Sequence, residues 1–580
     1  MEREGNRLAN WALSLPYAGP NVTVAFLCEN RPEFIFTVLG LAKAGMVTAL
    51  INTNLKGAPL IHSITIASPV MLIVGEELLS NITEIQDKLP PSLQIFVLED
   101  EECLTERESV PTNRAQTSAQ YLSKYLKYGD TNRPSASVRA RLKSTDPLFY
   151  IYTSGTTGLP KASKFSHLRF FYAGFSFATM LGITAADRLY CVLPLYHSAG
   201  GVLGVGSCWH AGSTLVLRRK FSASKFWEDC CVHQVTVIQY IGELCRYLTN
   251  CPVGSYDRLH QVRIAFGNGL NPVVWKMFDE RFGIPLIAEF YASTEGNTSL
   301  INNQGKMGAV GYIPRAWPTP VGYLWLSQTY FNRLFEWIVE VLYPVRLVRV
   351  DKADSESILR DARGYASCCS VDESGELLGR INMQSAFTRF DGYTDAQATK
   401  KKLISDVFTK GDLYFRSGDL LRQDVDGFVY FVDRIGDTFR WKGENVATSE
   451  VQNVIQAFTI REAPLVLENN VYGVKVGNLE GRAGMAALVV ADDAFLEHLA
   501  DFTAYLNQNL PAYAQPLFLR LKSEMIITGT FKQRKVELVE EGFDRSRVPS
   551  DEKLFFRSPS GYVELTPAIY TGIESGTIRL

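Results

Sequence analysis

The chain alternates short apolar runs with amphipathic stretches over most of its length. "NVTVAFLCEN", "VMLIVG", "LQIFVLED", "TLVLRR", "VTVIQYI" and "RIAFG" are dominated by apolar residues and are each too short for an ordinary helix. Runs of this kind between polar turns read as strands buried on both faces. Helical patterns separate them, the first running from residue 33 towards residue 44. Strands alternating with helices predict an α/β architecture of parallel sheets covered by helices on both sides. "FIFTVLGLAKAGMVTALI" approaches the length of a membrane span, but Lys43 interrupts it, so it reads as a buried helix running into a strand.

The pattern changes after Asp419. "GFVYFVDRIGD" reads as a hairpin arm that runs into a polar turn, and a short βα pattern follows, with a helix over 448–458. We expect a large domain over 1–433 and a small α+β domain over 434–580, joined about 433–436. One segment, "AWPTPVGYLWLSQTYFNRLFEWIVEVLYPV", is dense in Trp, Tyr and Phe. Its spacing predicts an amphipathic helix over 328–341, which either packs on the domain or meets a membrane surface or a partner.

Composition narrows the class. At 580 residues the chain is too long for one core. Hydrophobic residues at 46% and charged residues at 21% describe a folded protein. Lys+Arg at 59 against Asp+Glu at 61 leave no basic footprint, so nucleic acid is not an expected partner. The ten cysteines form no C-x-x-C pair and read as reduced thiols. Cys231 and His233 lie close in sequence but are too few for a zinc site.

The strongest chemical signal is "YIYTSGTTGLPK". "LFYIY" supplies a buried strand, and the hydroxyls of Thr153, Ser154, Thr156 and Thr157 follow it. Gly155 and Gly158 permit the backbone turns of an anion nest, and Lys161 adds positive charge. These groups suit polyphosphate. The spacing is not that of G-x-x-x-x-G-K-[ST], because the two glycines lie three apart and Pro160 precedes the lysine. "KASKF" then alternates like a strand rather than opening a helix.

This stretch resembles the phosphate loop of the adenylate-forming superfamily of acyl-CoA synthetases, peptide-synthetase adenylation domains and luciferases. Five further stretches follow in that superfamily's order. "PLYHSAG" resembles the turn near the acyl pocket, which implies that Tyr196 and His197 approach the acid. "FGNGLNP" implies an adenine-binding loop of Gly267, Asn268 and Gly269. "YASTEG" implies Tyr291 against the adenine, Thr294 at the α-phosphate and Glu295 holding Mg²⁺. "SGD" implies Asp419 on the ribose hydroxyls. "DRIGDTFRWKGENVATSEVQ" implies Arg434 at the ribose, a hinge through Ile435 and Gly436, and Arg440, Trp441, Lys442 and Gly443 facing the site for coenzyme A. "TGTFKQRKV" implies Lys532 as the catalytic lysine, with Arg534 and Lys535 beside it read as solvated charges. A carboxylate attacking a charged α-phosphate needs such a cation, since two negative charges at contact repel by about 4 kcal/mol at the effective dielectric of a protein site.

"RFDGYTD", "PAYAQPLFLR" and "GYVELTPAIYTGI" are further similar to the fatty-acid transport protein and very-long-chain acyl-CoA synthetase branch. The resemblance implies the adenylate-forming fold, with a large domain of parallel-rich sheets and a small mobile α+β domain. It implies ATP, Mg²⁺ and coenzyme A, and long-chain or very-long-chain fatty acids esterified by way of an acyl-adenylate. It also implies membrane association with cytoplasmic catalytic domains, at the endoplasmic reticulum, plasma membrane or peroxisome, and a homodimer. The branch begins with a membrane-anchoring segment, whereas this chain begins within an early helix, "GNRLANW", which reads as an amino-terminal truncation. Two rival readings remain: a fatty acid transporter acting without catalysis, and a ligase of bile or aromatic acids.

Overall fold

A computed structural model describes residues 1–99, 119–153, 159–314, 344–351, 357–385, 388–442, 444–460, 463–477, 479, 481–491, 494–528, 533–578 and 580. The expected helix over 328–341 lies outside the described residues, as do Ser154, Gly155, Thr156, Thr157, Gly158, Gly443 and Lys532.

The first sheet holds β1 (Thr23–Leu27), β2 (Val47–Leu50), β3 (Met71–Gly75), β4 (Gln94–Leu98), β5 (Gln120–Tyr121), β6 (Pro147–Thr153) and β7 (Lys161–Ser166), in the order β5-β4-β3-β1-β2-β6-β7. Its pairs are parallel except β6 with β7, which is antiparallel. Both faces are covered, as the apolar runs predict. Val24, Phe26, Met71 and Ile73 enter one core, while Ala25, Leu27, Leu72 and Val74 enter another. This is the two-residue alternation of a strand buried on both sides.

A second sheet holds β8 (Arg188–Cys191), β9 (Thr214–Leu217), β10 (Val237–Ile241), β11 (Ile264–Asn268), β12 (Leu286–Ala292) and β13 (Ser299–Asn302), in the order β13-β12-β11-β10-β8-β9. It is parallel apart from β13 on β12. The two sheets share one core, in which Phe26 of β1 and Phe266 of β11 belong to the same cluster.

The third sheet departs from the expected parallel pattern. It contains β14 (Gly311–Tyr312), β15 (Val345–Val348), β16 (Gly375–Arg380), β17 (Leu403–Ser405), β18 (Leu413–Gln423) and β19 (Phe428–Arg434), and its pairs are antiparallel. The reason is local: β18 and β19 are joined by a tight turn in which Gly427 has φ +100, and a connection so short cannot cross over to a parallel partner.

Beyond β19 the chain forms a hairpin of β20 (Phe439–Trp441) and β21 (Glu444–Val446), then a helix, Thr448–Gln456, and the small pair β22 (Thr459–Ile460) and β23 (Ala463–Pro464). A last sheet of β24 (Val466–Val474), β25 (Ala483–Val490), β26 (Phe518–Leu521), β27 (Lys553–Ser558) and β28 (Gly561–Glu564) follows. Its core draws only on residues from Phe439 onward. Polar contacts tie this part to the rest. Arg246 Nη2 lies 2.8 Å from Glu468 Oε1 while Nη1 donates to the Leu467 carbonyl, and Asn271 bonds Asn453.

At the other end, the helix Glu2–Leu13 packs on Pro32–Lys43. A Cβ on Gly40 would meet the Gly5 carbonyl oxygen at 2.8 Å and Leu8 Cδ2 at 2.7 Å. Gly40→Val should therefore push the helices apart and destabilise the fold by about 1–3 kcal/mol, read as a lower urea midpoint at unchanged slope.

Candidate active site

The strands that flank the phosphate-loop residues are antiparallel, and their register places Thr153 at the end of β6 opposite Lys161 at the start of β7. The His62 ring Nε2 and the Pro160 carbonyl oxygen lie 3.1 Å apart at the end of this loop. The "RFDGYTD" segment runs along β7: Lys164 N–H donates to the Gly392 carbonyl and Thr394 N–H to the Ala162 carbonyl. That docking brings Tyr393 under the hairpin, with Lys161 Nζ 5.8 Å from its ring centroid. The Tyr393 hydroxyl interacts with the Glu295 carboxylate and the Thr153 hydroxyl, and burial raises its pKa first, with the Glu295 charge adding to the rise.

The "YASTEG" turn leaves β12 and is held from below by Arg169, on the helix His167–Met180. Its guanidinium donates to the carbonyls of Thr294 (3.1 Å), Gly296 (2.7 Å) and Lys164 (3.2 Å). Desolvation lowers the Arg169 pKa, opposed by the charges of Asp391 and Glu295. The Thr294 hydroxyl lies 3.0 Å from that of Ser198, which joins this turn to "PLYHSAG". Glu295 Oε1 is 3.9 Å from Lys402 Nζ, and Lys402 also donates to the Ser417 carbonyl.

The pair expected at the ribose forms across two strands. Asp419 of β18 lies opposite Arg434 of β19, with Arg434 Nε 3.9 Å from Asp419 Oδ1. Tyr291 donates its hydroxyl to Asp419 Oδ2 at 2.5 Å. Burial and the adjacent Asp419 charge hold the Tyr291 phenol well above its ordinary pKa. Buried Glu376 supports the "SGD" turn, accepting Gly418 N–H at 3.1 Å and pairing with Arg416. Gly418 has φ +77, a conformation that favours glycine.

The "FGNGLNP" loop closes against the second sheet. A Cβ on Gly267 would meet the Tyr240 carbonyl oxygen at 2.2 Å, and Gly269 has φ +78. Asn268 ends β11, paired with Ile241. Beneath the loop, buried Glu289 accepts from Leu270 N–H at 3.0 Å and from the Tyr240 hydroxyl at 2.6 Å. Burial pushes its pKa from 4.5 up to about 8.

Of the residues expected near the acid, Tyr196 is buried and its hydroxyl accepts from Asn54 at 3.3 Å, with burial raising its pKa to about 12. His197 Nδ1 accepts from Ala199 N–H and caps a π-helical segment, Ser198–Gly204. Segments of this kind recur at functional sites. Gly201 of this segment joins Phe34, Val38, Phe149, Phe170 and Trp209 around a small apolar cavity.

The expected coenzyme A face is divided. Alternation along β20 leaves Arg440 and Lys442 exposed and turns Trp441 into the carboxyl-terminal core, so Trp441 is corrected from a facing residue to a core residue. Lys535 is also not a solvated charge: its Nζ lies 3.0 Å from Asp437 Oδ2 and donates to the Thr448 hydroxyl at 3.0 Å. Arg534 is half exposed and pairs with Glu537. Arg169, Tyr393, Lys402, Ser198 and Glu289 were not singled out in the sequence. Only Tyr393 and Ser198 had a signal there, as parts of "RFDGYTD" and "PLYHSAG".

Thr153 with Lys161, the Thr294–Glu295 turn and the Asp419–Arg434 pair are the described residues at which the sequence predicts a nucleotide of the AMP-binding kind. Residues 1–322 match the AMP-binding enzyme family. Human long-chain fatty acid transport protein 1 is 42% identical, covering 100% of this chain and 83% of its own. Mouse long-chain fatty acid transport protein 6 is 41% identical, covering 100% and 86%. Among solved structures, the anthranilate CoA ligase AuaEII in complex with anthranoyl-AMP aligns with TM-score 0.71 at 19% identity over 93% of this chain and 90% of that one. A Mycobacterium tuberculosis fatty acyl CoA synthetase aligns with TM-score 0.59 at 21% identity over 94% and 92%. The chain belongs to the AMP-binding enzyme family and, within it, to the long-chain fatty acid transport proteins of the acyl-CoA synthetase branch.

The Glu289 carboxyl has a measurable signature. Its raised pKa means the fold retains a proton that the unfolded chain loses above about 4.5. That contribution is fully present below the unfolded value and is lost as pH rises through about 8. Glu289→Gln should flatten the fall in stability across this window by about 3–5 kcal/mol, read from urea unfolding at a series of pH values.

Proposed function

We propose that this protein is an AMP-forming ligase that joins long-chain or very-long-chain fatty acids to coenzyme A, and so draws fatty acid into the cell by trapping it as the thioester. The convergence of Lys161, Tyr393, Thr294, Glu295, Asp419 and Arg434 on one site carries the reading. The names of the related transport proteins support a long aliphatic acid.

In the first step a carboxylate oxygen of the acid attacks the α-phosphorus of ATP, the bond to the β-phosphate bridge breaks, and pyrophosphate leaves. Asp419 and Arg434 orient the ribose, Gly267, Asn268, Gly269 and Tyr291 border the adenine, and Thr153 to Lys161 hold the departing phosphates. Lys532 bridges the two anions. In the second step the thiolate of coenzyme A attacks the acyl carbon, and AMP leaves. Arg440 and Lys442, the exposed cations of the β20–β21 hairpin, suit the phosphates of coenzyme A.

The residues present fit Mg²⁺ delivered with the nucleotide. Glu295 offers one carboxylate loosely paired with Lys402, and no group of three or more potential ligands clusters among the described residues. Phosphate-bound Mg²⁺ takes one or two protein carboxylates, and it would neutralise charge on the phosphates. Glu295 would hold it.

A division at 433–434, with a hinge over 433–436, allows both steps on one scaffold. Gly436 supports the hinge: a Cβ there would meet nothing within 4 Å, and its φ lies outside the left-handed region, so this arrangement does not itself require glycine. The Arg246–Glu468 and Asn271–Asn453 contacts span the two parts and would have to exchange when they rotate. Attachment to a membrane surface and a homodimer complete the proposal.

An acid panel with ATP and Mg²⁺, assayed with and without coenzyme A, tests it. Long-chain acids should give AMP, with thioester only when coenzyme A is present, and formation of ADP would overturn the reading. Lys532→Ala should slow adenylation by about a hundredfold or more. Fatty acid uptake that survives this loss would favour transport without catalysis.

A further inference from the structure

We propose that Arg246 and Asn271 are positioning residues that tie the Gly267–Gly269 loop to the carboxyl-terminal part, so that nucleotide on the loop and the orientation of that part report on each other. Both residues leave the loop directly. Asn271 follows it in the chain and caps the helix Pro272–Phe282, its Oδ1 accepting from Val273 N–H at 2.8 Å. Arg246 stands on the helix Gly242–Asn250, whose first residue is pressed against the loop. A Cβ on Gly242 would meet the Gly269 carbonyl oxygen at 1.8 Å and Leu270 Cα at 2.8 Å. Arg246 comes about one helical turn further along, so the path from the loop to its guanidinium is short and backbone-rigid.

The carboxyl-terminal part meets Arg246 with a built socket. The β24–β25 register passes from Val466 opposite Val490 to Glu468 opposite Val489, so Leu467 bulges out of the ladder. Its carbonyl accepts from Arg246 Nη1 at 2.8 Å, and Glu468 Oε1 lies 2.8 Å from Nη2. On the other flank Glu243 accepts from Arg246 Nε at 3.0 Å. The Arg246 and Glu468 side chains are only 8% and 15% exposed. A pair so far withdrawn from water is costly to break, unlike a salt bridge at the surface.

The socket is braced against the helix that Asn271 reaches. Gln456 Nε2 donates to the Val466 carbonyl at 3.0 Å, and Asn469 Nδ2 donates to Gln456 Oε1 at 2.9 Å. Gln456 and Asn453, the partner of Asn271, both belong to the helix Thr448–Gln456. Arg246 and Asn271 therefore engage one connected unit, and both contacts are made or broken when that unit turns. A grip at the rim of the molecule would only resist turning. A grip rooted in the loop also moves with the loop, so an orientation that keeps the grip keeps the loop where nucleotide meets it. The proposal rests on the reading above for the identity of the nucleotide and for the rotation, but not for the contacts.

Calorimetric titration of the full chain with AMP, with no acid or coenzyme A present, tests the tie. Glu468→Gln keeps the size of the side chain and leaves Glu243 to pair with Arg246, so the chain should fold. It should bind AMP about fivefold more weakly than the unaltered protein. Arg246→Lys keeps the charge but cannot reach Glu243, Glu468 and the Leu467 carbonyl at once, and should weaken AMP by a similar factor. Combining the two should weaken binding no further than either alone, because both break one contact. The rate of adenylation relative to that of thioester formation from added acyl-adenylate should also shift by about fivefold. AMP affinity unchanged in both folded variants, losses that multiply in the combined variant, or half-reaction rates that fall in proportion would overturn the proposal. Weaker AMP binding in the variants of a chain that adenylates no acid would sink the ligase reading and leave the tie intact.

Discussion

The site depends on one guanidinium. Arg169 gathers carbonyls from β7 and from both sides of Glu295. Each charge-assisted bond contributes about 1.5–3 kcal/mol, and removing the cation would leave three carbonyls short of a donor. Its partners fix the rest of the arrangement. Asp391, one of the two carboxylates that offset its charge, accepts from the Ser166 hydroxyl at the end of β7 and anchors the segment carrying Tyr393. Glu295, the other, is thereby aimed at Tyr393 and Lys402. The helix that supplies this cation inward leaves Phe171 and Phe175 exposed on its other side.

Much of the fold was legible because its strands are buried on both faces. β1, β3, β4, β10 and β11 fall on apolar runs, and the helix Pro32–Lys43 runs into β2 as its pattern predicts. The antiparallel third sheet was harder to read. β14 has two residues, and β16 ("GELLGR") is half polar, so neither gives a strong periodic signal. Their identity as strands comes from the partners they find.

The site divides in the same way. Residues proposed to hold nucleotide sit in compact motifs, and the order of those motifs along the chain was readable. Residues that position those motifs come from elsewhere: Arg169 from a helix, Lys402 from the approach to β17, Glu289 from the middle of a strand. No local pattern marks them, because their partners are distant in sequence. Lys535 shows the opposite error. In sequence it resembles one more exposed cation beside Lys532, but the turn after β19 brings Asp437 and Thr448 to meet it.

The β18–β19 hairpin has a consequence for regulation. Asp419 and Arg434 face each other at the end of this hairpin, and the next residue before Arg434, Asp433, accepts from Thr448 N–H and its hydroxyl in the carboxyl-terminal part. The groups proposed to hold ribose are thus continuous with the strand on which the two parts would turn. Binding and orientation then become reciprocal quantities: whatever free energy nucleotide contributes to one orientation, that orientation returns as affinity for nucleotide. On the proposed function, coenzyme A, pyrophosphate and AMP would not need to touch one another to sense each other's presence, because each would alter the balance on the same short length of chain.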